Sequence, residues 1–384
     1  MRIYTQEERL ALMIEDRRAL HRIPEHAYDL FKTRAYLRER LAALHPDVLE
    51  SCDDGIKVVF RAAKSDAGAI ALRADMDALQ LPEKNEHDFV SEHPGMMHAC
   101  GHDGHMTALI ALGHIAAEMR DAGELAVDVV LLFQPAEEGI GGAERMIQQG
   151  ALENPYVEYV FGFHLMPQIP KGTIALSPGG VMAGNTEFNL HFSGSRAHGA
   201  MPHLGSDAAA AMCSTYLMLQ THMTRVVPPN APAVLTFGHV SAGNMRNVVA
   251  EKAVMQGILR TYNDAMQDQL IEDFKLIASN TAQPFGVTVE YEKHCFFPAV
   301  INDKALVEKV RPLIENSCDQ ESLLTAEDFS FYAIARPGVY AFVGSGDEQR
   351  KAPLHSDQFD FDEAALLPAI QWYRNIIISY AKED

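Results

Sequence analysis

Residues 126–139 read Ala-Val-Asp-Val-Val-Leu-Leu-Phe-Gln-Pro-Ala-Glu-Glu-Gly. The first eight have the apolar, β-branched character of a buried strand. Pro135 and Gly139 then break the chain around two adjacent carboxylates, Glu137 and Glu138. Three other segments repeat this plan. Segment 69–73 (Ala-Ile-Ala-Leu-Arg) runs into Ala74-Asp75-Met76-Asp77, segment 159–163 stops at His164, and segment 338–343 leads to a loop carrying Leu354-His355-Ser356. Each apolar run ends in an ionisable or metal-binding residue. Such runs, separated by helical patterns, predict an α/β fold: a mainly parallel sheet with helices on both faces. In sheets of this kind, sites assemble at the carboxyl ends of the strands.

A second dense stretch is His98-Ala99-Cys100-Gly101-His102-Asp103-Gly104-His105, with three imidazoles, a thiol and a carboxylate in eight positions. Soft and borderline donors at that density suit a divalent transition metal. A helix is expected over 107–120, with Leu109, Leu112 and Ala116 on one side and Asp103 as its N-cap. Its positive end would favour thiolate at Cys100. Taken singly, these features have plainer readings. The octapeptide also suits a His-rich surface loop, Glu137-Glu138 a solvated acidic pair, His164 and His355 core histidines, and Asp75 a turn residue.

Bulk properties narrow the class. The 384 residues exceed what one compact core usually holds, so two domains are expected. No uninterrupted apolar run reaches the ~18 residues of a membrane span, and the first ten residues are polar and charged, which points to the cytoplasm. Cysteines 52, 100, 213, 295 and 318 are odd in number and scattered, as for reduced thiols. A formal charge of −20 disfavours nucleic acid and anionic membrane as partners.

Taken together, Arg18-Ala19-Leu20-His21-Arg22-Ile23-Pro24-Glu25, Leu72-Arg73-Ala74-Asp75-Met76-Asp77-Ala78-Leu79, the octapeptide, 133–139, Gly162-Phe163-His164-Leu165, Ser195-Arg196-Ala197-His198-Gly199-Ala200-Met201-Pro202-His203 and Leu354-His355-Ser356 resemble the metal-dependent aminoacylase/carboxypeptidase family. The similarity is to its branch of hippurate hydrolases, auxin-conjugate hydrolases and N-acyl-amino-acid amidohydrolases, and it spans nearly the whole chain. It implies an inserted α+β lid or dimerisation domain. After Ser177-Pro178-Gly179-Gly180, the order strand 186–193, helix 206–222, strand 232–240, strand 250–260, helix 263–280, strand 286–293 has that βαββαβ form. The insert is expected at 180–294, between catalytic segments 1–179 and 295–384.

The resemblance also implies the site. Cys100, His102, Glu138, His164 and His355 match the family's metal-binding positions, and five ligands suggest two divalent ions with some ligands shared. Zinc or manganese are the expected metals, with cobalt and nickel as others that relatives use. Glu137 matches the catalytic base, a carboxylate beside the ions but not coordinated to them. Other branches have a His-x-Asp pair where this chain has Arg73 and Asp75, so Arg73 is no ligand and Asp75 is expected to orient a histidine ligand through its ring N–H. His198 matches a histidine that donates to the oxyanion, commonly in a partner subunit, which implies a homodimer or higher homo-oligomer. Asn247 and Arg260 match substrate-binding positions, although Ala242-Gly243-Asn244 and Ala250 depart from the usual pattern around Asn247.

The expected activity is hydrolysis of the amide of an N-acyl amino acid. A dipeptidase or carboxypeptidase with the same dimetal site is the nearest alternative. A Cys100–His thiol hydrolase and a non-catalytic, zinc-stabilised binding module are the readings from other classes.

Overall fold

The computed structural model describes residues 4–63 and 68–380. The chain divides into two compact units, one built from Met1–Val181, Ile301–Glu321 and Asp328–Asp384, the other from Met182–Val300 and Ser322–Glu327.

The first unit is organised on an eight-stranded sheet in the order Val48–Cys52, Gly55–Phe60, Asp128–Gln134, Ala69–Asp75, Val157–Pro170, Gly338–Gly346, Ile174–Ala175, Ser317–Cys318. The four strands read from the sequence are its centre and run parallel to their neighbours within that group. Ala69–Asp75 and Asp128–Gln134 are buried at every position, so both faces of the sheet must be covered. On one face Ile70, Leu72, Leu131, Phe133, Phe161, Val339, Ala341 and Val343 join the core formed with helices Gln6–His21, His102–Ala122 and Leu367–Ser379. On the other, Tyr340 packs on Phe329 of the helix Phe329–Ala335, and Tyr332 of that helix reaches Met146 of the helix Ala143–Gln148. Gly162 belongs to this layer; a Cβ there would come within 2.7 Å of Tyr340 and 2.9 Å of Phe329.

The register carries the strand ends to one edge. Asp75 stands opposite Gln134, Arg73 opposite Gly162, and Phe342 opposite His164. His164 lies within its strand, which continues to Pro170. Not anticipated from the sequence is the antiparallel hairpin Val48–Cys52/Gly55–Phe60 at the sheet edge.

The helix after the octapeptide starts at His102, five residues before the expected start. Gly101, at φ 86°, occupies the N-cap position. A side-chain cap is absent there, and glycine adopts this left-handed backbone without a Cβ clash. Asp103 is therefore inside the first turn rather than capping it. Its Oδ2 receives Arg17 Nε at 3.0 Å and the His21 ring at 2.8 Å.

The second unit is a four-stranded antiparallel sheet ordered Thr288–Phe297, Gly184–Ser193, Lys252–Thr261, Ala233–Ala242. Alternate residues of Gly184–Ser193 and Lys252–Thr261 are buried, as expected for a sheet with one covered face. Phe188, Leu190, Met255 and Leu259 pack there with Leu219 and Phe274, from the helices Ala208–Val226 and Asp264–Ala282. Asp207 and Asn263 cap these helices by accepting backbone N–H groups. Its last strand runs to Phe297, and the unit takes in residues to Val300 and also Ser322–Glu327, so it reaches into the 295–384 segment read from the sequence as catalytic.

Candidate metal centre

Cys100, His102, Glu138, His164 and His355 converge at the carboxyl edge of the large sheet. Cys100 Sγ lies 3.3 Å from His164 Nε2 and 3.2 Å from His355 Nε2. His355 Nε2 is also 3.2 Å from Glu138 Oε1, and His102 Nε2 is 3.9 Å from the same oxygen. Three overlapping sets, Cys100–His102–His164, Cys100–Glu138–His355 and His102–Glu137–Glu138, each keep their ligand atoms within 4.8 Å of one another.

The backbone sets these side chains. Ala136 (φ 59°) and His355 (φ 64°) both adopt left-handed conformations. Such strain in non-glycine residues is costly and clusters at functional sites. The His355 N–H donates to the Ala99 carbonyl at 2.8 Å, tying its loop to the octapeptide. His102 donates its Nδ1–H to the Asp77 carbonyl at 2.8 Å, and His164 donates its Nδ1–H to the Leu165 carbonyl at 2.6 Å. Each ring is thereby fixed with an unprotonated Nε2 facing the cluster. His102 Nε2 is buried and has no hydrogen-bond partner.

That orphaned nitrogen tests whether the site suits a metal. A buried imidazole lone pair aimed at a thiol, a carboxylate and two further imidazoles is a ligand set for a borderline-soft divalent ion. Charge makes the same point. Burial, then the neighbouring Glu138 and Glu137 carboxylates, hold the Cys100 thiol well above its ordinary range. Burial and these carboxylates outweigh the helix terminus, contrary to expectation; a cation held among these ligands would stabilise the thiolate. Burial lowers His102 and brings His164 down to about 3, which keeps both lone pairs available. Burial opposes charge on Glu138, yet the hydrogen bond with His355 brings it down to about 2.

Glu137 is buried beside this set, its Oε2 4.0 Å from His102 Nε2. The turn carrying it is held by Asp77, a residue the sequence reading left without a role. Asp77 Oδ1 accepts the Glu137 N–H at 2.9 Å and Oδ2 the Glu138 N–H at 3.1 Å. Its carbonyl also positions His102, so one fully buried residue orients both halves of the cluster. The Asp75-Met76-Asp77 spacing was its only sequence signal.

Asp75 departs from expectation. It accepts the Nδ1–H of His105 at 2.7 Å rather than that of a clustered histidine, and Arg73 Nη1 at 2.9 Å. His105 Nε2 accepts the Leu165 N–H at 3.0 Å, so both its ring nitrogens are occupied. Asp75 still lies 3.7 Å from His102 Nε2. Burial works against its charge, but the Arg73 charge and the His105 hydrogen bond lower its carboxyl well below the ordinary range. Arg73 also donates to Gln134 and Asp328, and Asp328 accepts the N–H groups of Gly142 and Ala143 beyond the glutamate turn. His98 is buried nearby and brought down to about 3 by burial.

In the second unit, the structure brings His198 and Asn247 into one loop cluster. His198 bridges Val248, and the Gly199 N–H donates to the Asn247 carbonyl at 2.8 Å. His198 is exposed, and its Nδ1 accepts the Ala200 N–H at 3.1 Å, which leaves the proton on Nε2. Arg260 is half-buried in Lys252–Thr261, with Nη1 lacking a hydrogen-bond partner.

Residues 71–379 match the Peptidase family M20/M25/M40. The chain belongs to that family. This M20 chain is 36% identical over 360 residues to an N-acetyldiaminopimelate deacetylase of Exiguobacterium sibiricum, covering 92% of this chain and 95% of that protein. It is 34% identical over 366 residues to the N-acetyl-L-cysteine deacetylase of Bacillus subtilis, covering 93% and 85%. Among solved structures, a Bacillus subtilis dinuclear metal-binding peptidase of the M20 family superposes with a TM-score of 0.83 at 28% identity, over 97% of this chain and 99% of that one.

Proposed function

We propose that this M20 chain is a metal-dependent amidohydrolase that cleaves the amide bond of an N-acyl amino acid, releasing a carboxylic acid and a free amino acid. The observation that carries the reading is the convergence of five donor side chains with a sixth, buried Glu137, left beside them. The deacetylase relatives support the substrate class.

In this reading Cys100, His102, Glu138, His164 and His355 hold two divalent ions, zinc or manganese first, with cobalt and nickel as further candidates. When bound, the ions polarise the scissile carbonyl and lower the pKa of the attacking water. Glu137 takes a proton from that water as its oxygen attacks the carbonyl carbon. It then delivers the proton to the amine nitrogen as the C–N bond breaks. His198 donates its Nε2–H to the oxyanion, and its tautomer supports this. Asn247 binds the substrate, and Arg260, with an unpaired Nη1, takes its carboxylate. Asp75 acts at one remove, through His105 and Arg73. A thiol-hydrolase mechanism is disfavoured because Cys100 stands among His164, His355 and Glu138 as one donor of a metal-ligand set rather than paired with a single histidine.

The reading includes a cytoplasmic homodimer. The five cysteines are free, and among the described residues no helix is long and apolar enough to cross a membrane. Ala233–Ala242 is a sheet-edge strand exposed along most of its length, and Leu217 and Met218 are exposed in the same unit, as a pairing surface requires.

The test is a hydrolysis panel of N-acetyl, N-benzoyl and N-succinyl amino acids and dipeptides, before chelation, after it, and after metal is restored. Chelator-sensitive, metal-restorable release of amino acid from an N-acyl substrate is expected. Preference for dipeptides would assign a dipeptidase instead. Activity that survives chelation and dies with iodoacetamide would assign a thiol hydrolase.

A further inference from the structure

Outside the Cys100 cluster, His21, Glu83 and His87 bring three potential metal ligands together. We propose that these residues form a second, separate site for a divalent transition-metal ion of the zinc class. Glu83 Oε1 lies 3.1 Å from His21 Nε2 and 3.3 Å from His87 Nε2, and the three ligand atoms lie within 4.8 Å of one another. A tetrahedral ion with bonds of about 2.0 Å has ligand–ligand edges of about 3.3 Å. The two edges through Glu83 therefore already stand near the spacing of a coordination face, and the third lies within 4.8 Å.

Each donor is held in place by its surroundings. His21 is fully buried and its Nδ1 donates to Asp103 Oδ2 at 2.8 Å, the carboxylate–histidine arrangement that orients metal-ligating imidazoles. Glu83 has its Oε2 on the Ser91 N–H at 2.7 Å and its Oε1 on Asn85 Nδ2 at 3.1 Å. The His87 ring stacks on Phe89, centroids 3.6 Å apart and planes 7° from parallel. Both His87 ring nitrogens are buried, and neither completes a hydrogen bond. Buried ring nitrogens that complete no hydrogen bond are unfavourable unless a lone pair meets an acceptor of electron density, which an ion beside Glu83 provides.

The surrounding charge suits a cation. Arg17 shares Asp103 Oδ2 but is itself matched by Asp360 at 2.7 Å and Glu363 at 3.4 Å, which leaves Glu83 to the two imidazoles of the site. His87 retains 17% side-chain exposure, which gives the ion a way in from solvent. Binding replaces the proton on His21 Nε2 with the ion, and that proton leaves to solvent. An ion here would pin 83–91 to the end of the first helix. Through Asp103 it would reach the residue that follows His102.

The experiment uses the full chain, depleted of metal and titrated with zinc, followed by calorimetry and by elemental analysis after gel filtration. Wild type is expected to retain one zinc per chain more than His87→Leu, with the variant keeping amide hydrolysis within about twofold. Glu83→Gln is expected to lose the same ion. Since His87 sits at the rim, His87→Leu decides the matter even where Glu83→Gln fails to fold. Wild-type zinc stoichiometry in His87→Leu would overturn the proposal. So would a wild-type chain that retains no zinc beyond what Cys100→Ala removes.

Discussion

Asp77 receives the backbone N–H of Glu137 at 2.9 Å, and that of Glu138 at 3.1 Å, on the two oxygens of one buried carboxylate. Burial and the Glu138 charge raise its carboxyl well above the ordinary range, and the two N–H bonds act against that shift. Asparagine keeps the shape but offers one acceptor, and its amide N–H₂ would face a backbone N–H. An unpaired buried N–H costs roughly 1–3 kcal/mol, enough to let the turn shift. Asp77→Asn is expected to lower kcat about tenfold or more, while the fold persists by circular dichroism. Unchanged turnover would show that the turn holds Glu137 without this clamp.

Glu137→Gln should retain bound metal and lose turnover. The amide preserves the volume of the side chain but cannot accept the water's proton. General-base assistance is worth ~10²–10⁴-fold, so a loss of that size in kcat is expected, with metal content equal to wild type. A variant within about threefold of wild type removes Glu137 from the role.

Cys100 faces His164 and His355 at 3.3 and 3.2 Å, so its sulfur is central to the cluster. Cys100→Ala is expected to lose metal, measured by elemental analysis, and to lose activity with it. Full metal content in the variant would rule out ligation by the thiol.

Acid stability has an identifiable source in His114. Burial, then the charges of Arg40 and Arg9, bring this histidine down to about 4, with its ring edge-on to Tyr4. In the unfolded chain it titrates near 6.5, so on acidification the unfolded state takes up the proton first. The contribution is complete above about pH 6.5 and is lost as the pH falls to about 4, roughly 3 kcal/mol at most. His114→Gln should therefore show a shallower fall of unfolding free energy between pH 6.5 and 4 in urea titrations. Equal slopes would exclude His114 as the source.

The central sheet was legible because each strand is a continuous apolar run ending in a polar group, as in Asp128–Gln134 and Ala69–Asp75. The hairpin Val48–Cys52/Gly55–Phe60 was missed, although Asp54-Gly55 is a turn signal, because its outer strand is only partly buried and lacks clean alternation. The start of the helix His102–Ala122 was missed because His-Asp-Gly-His reads as loop by composition, and a glycine rather than a side chain occupies its N-cap. Donor residues at strand ends could be picked from the sequence one by one. The contacts of Asp77, and the pairing of Asp103 with Arg17 and His21, could not. They join positions 25 to 86 residues apart, and no local periodicity encodes such contacts.

His198 offers the test of assembly. Its Nδ1 accepts the Ala200 N–H, so the exposed ring presents Nε2–H as a donor. If that donor serves the oxyanion of a neighbouring chain, the active unit is a dimer with twofold symmetry. Neither His198→Ala nor Glu137→Gln homodimers should then turn over substrate at more than a small fraction of the wild-type rate. Mixed dimers are different, because one of their two sites combines an intact Glu137 from one chain with an intact His198 from the other. Activity is therefore expected to reappear when the two variants are mixed and allowed to exchange subunits, approaching a quarter of wild type for random pairing in equal amounts, as half the dimers are mixed and each has one complete site. If His198 acts within its own chain, every site in the mixture carries one defect. No recovery despite exchange proven by mass spectrometry, or a strictly monomeric chain by light scattering, would sink the trans-acting role and leave the hydrolase reading intact.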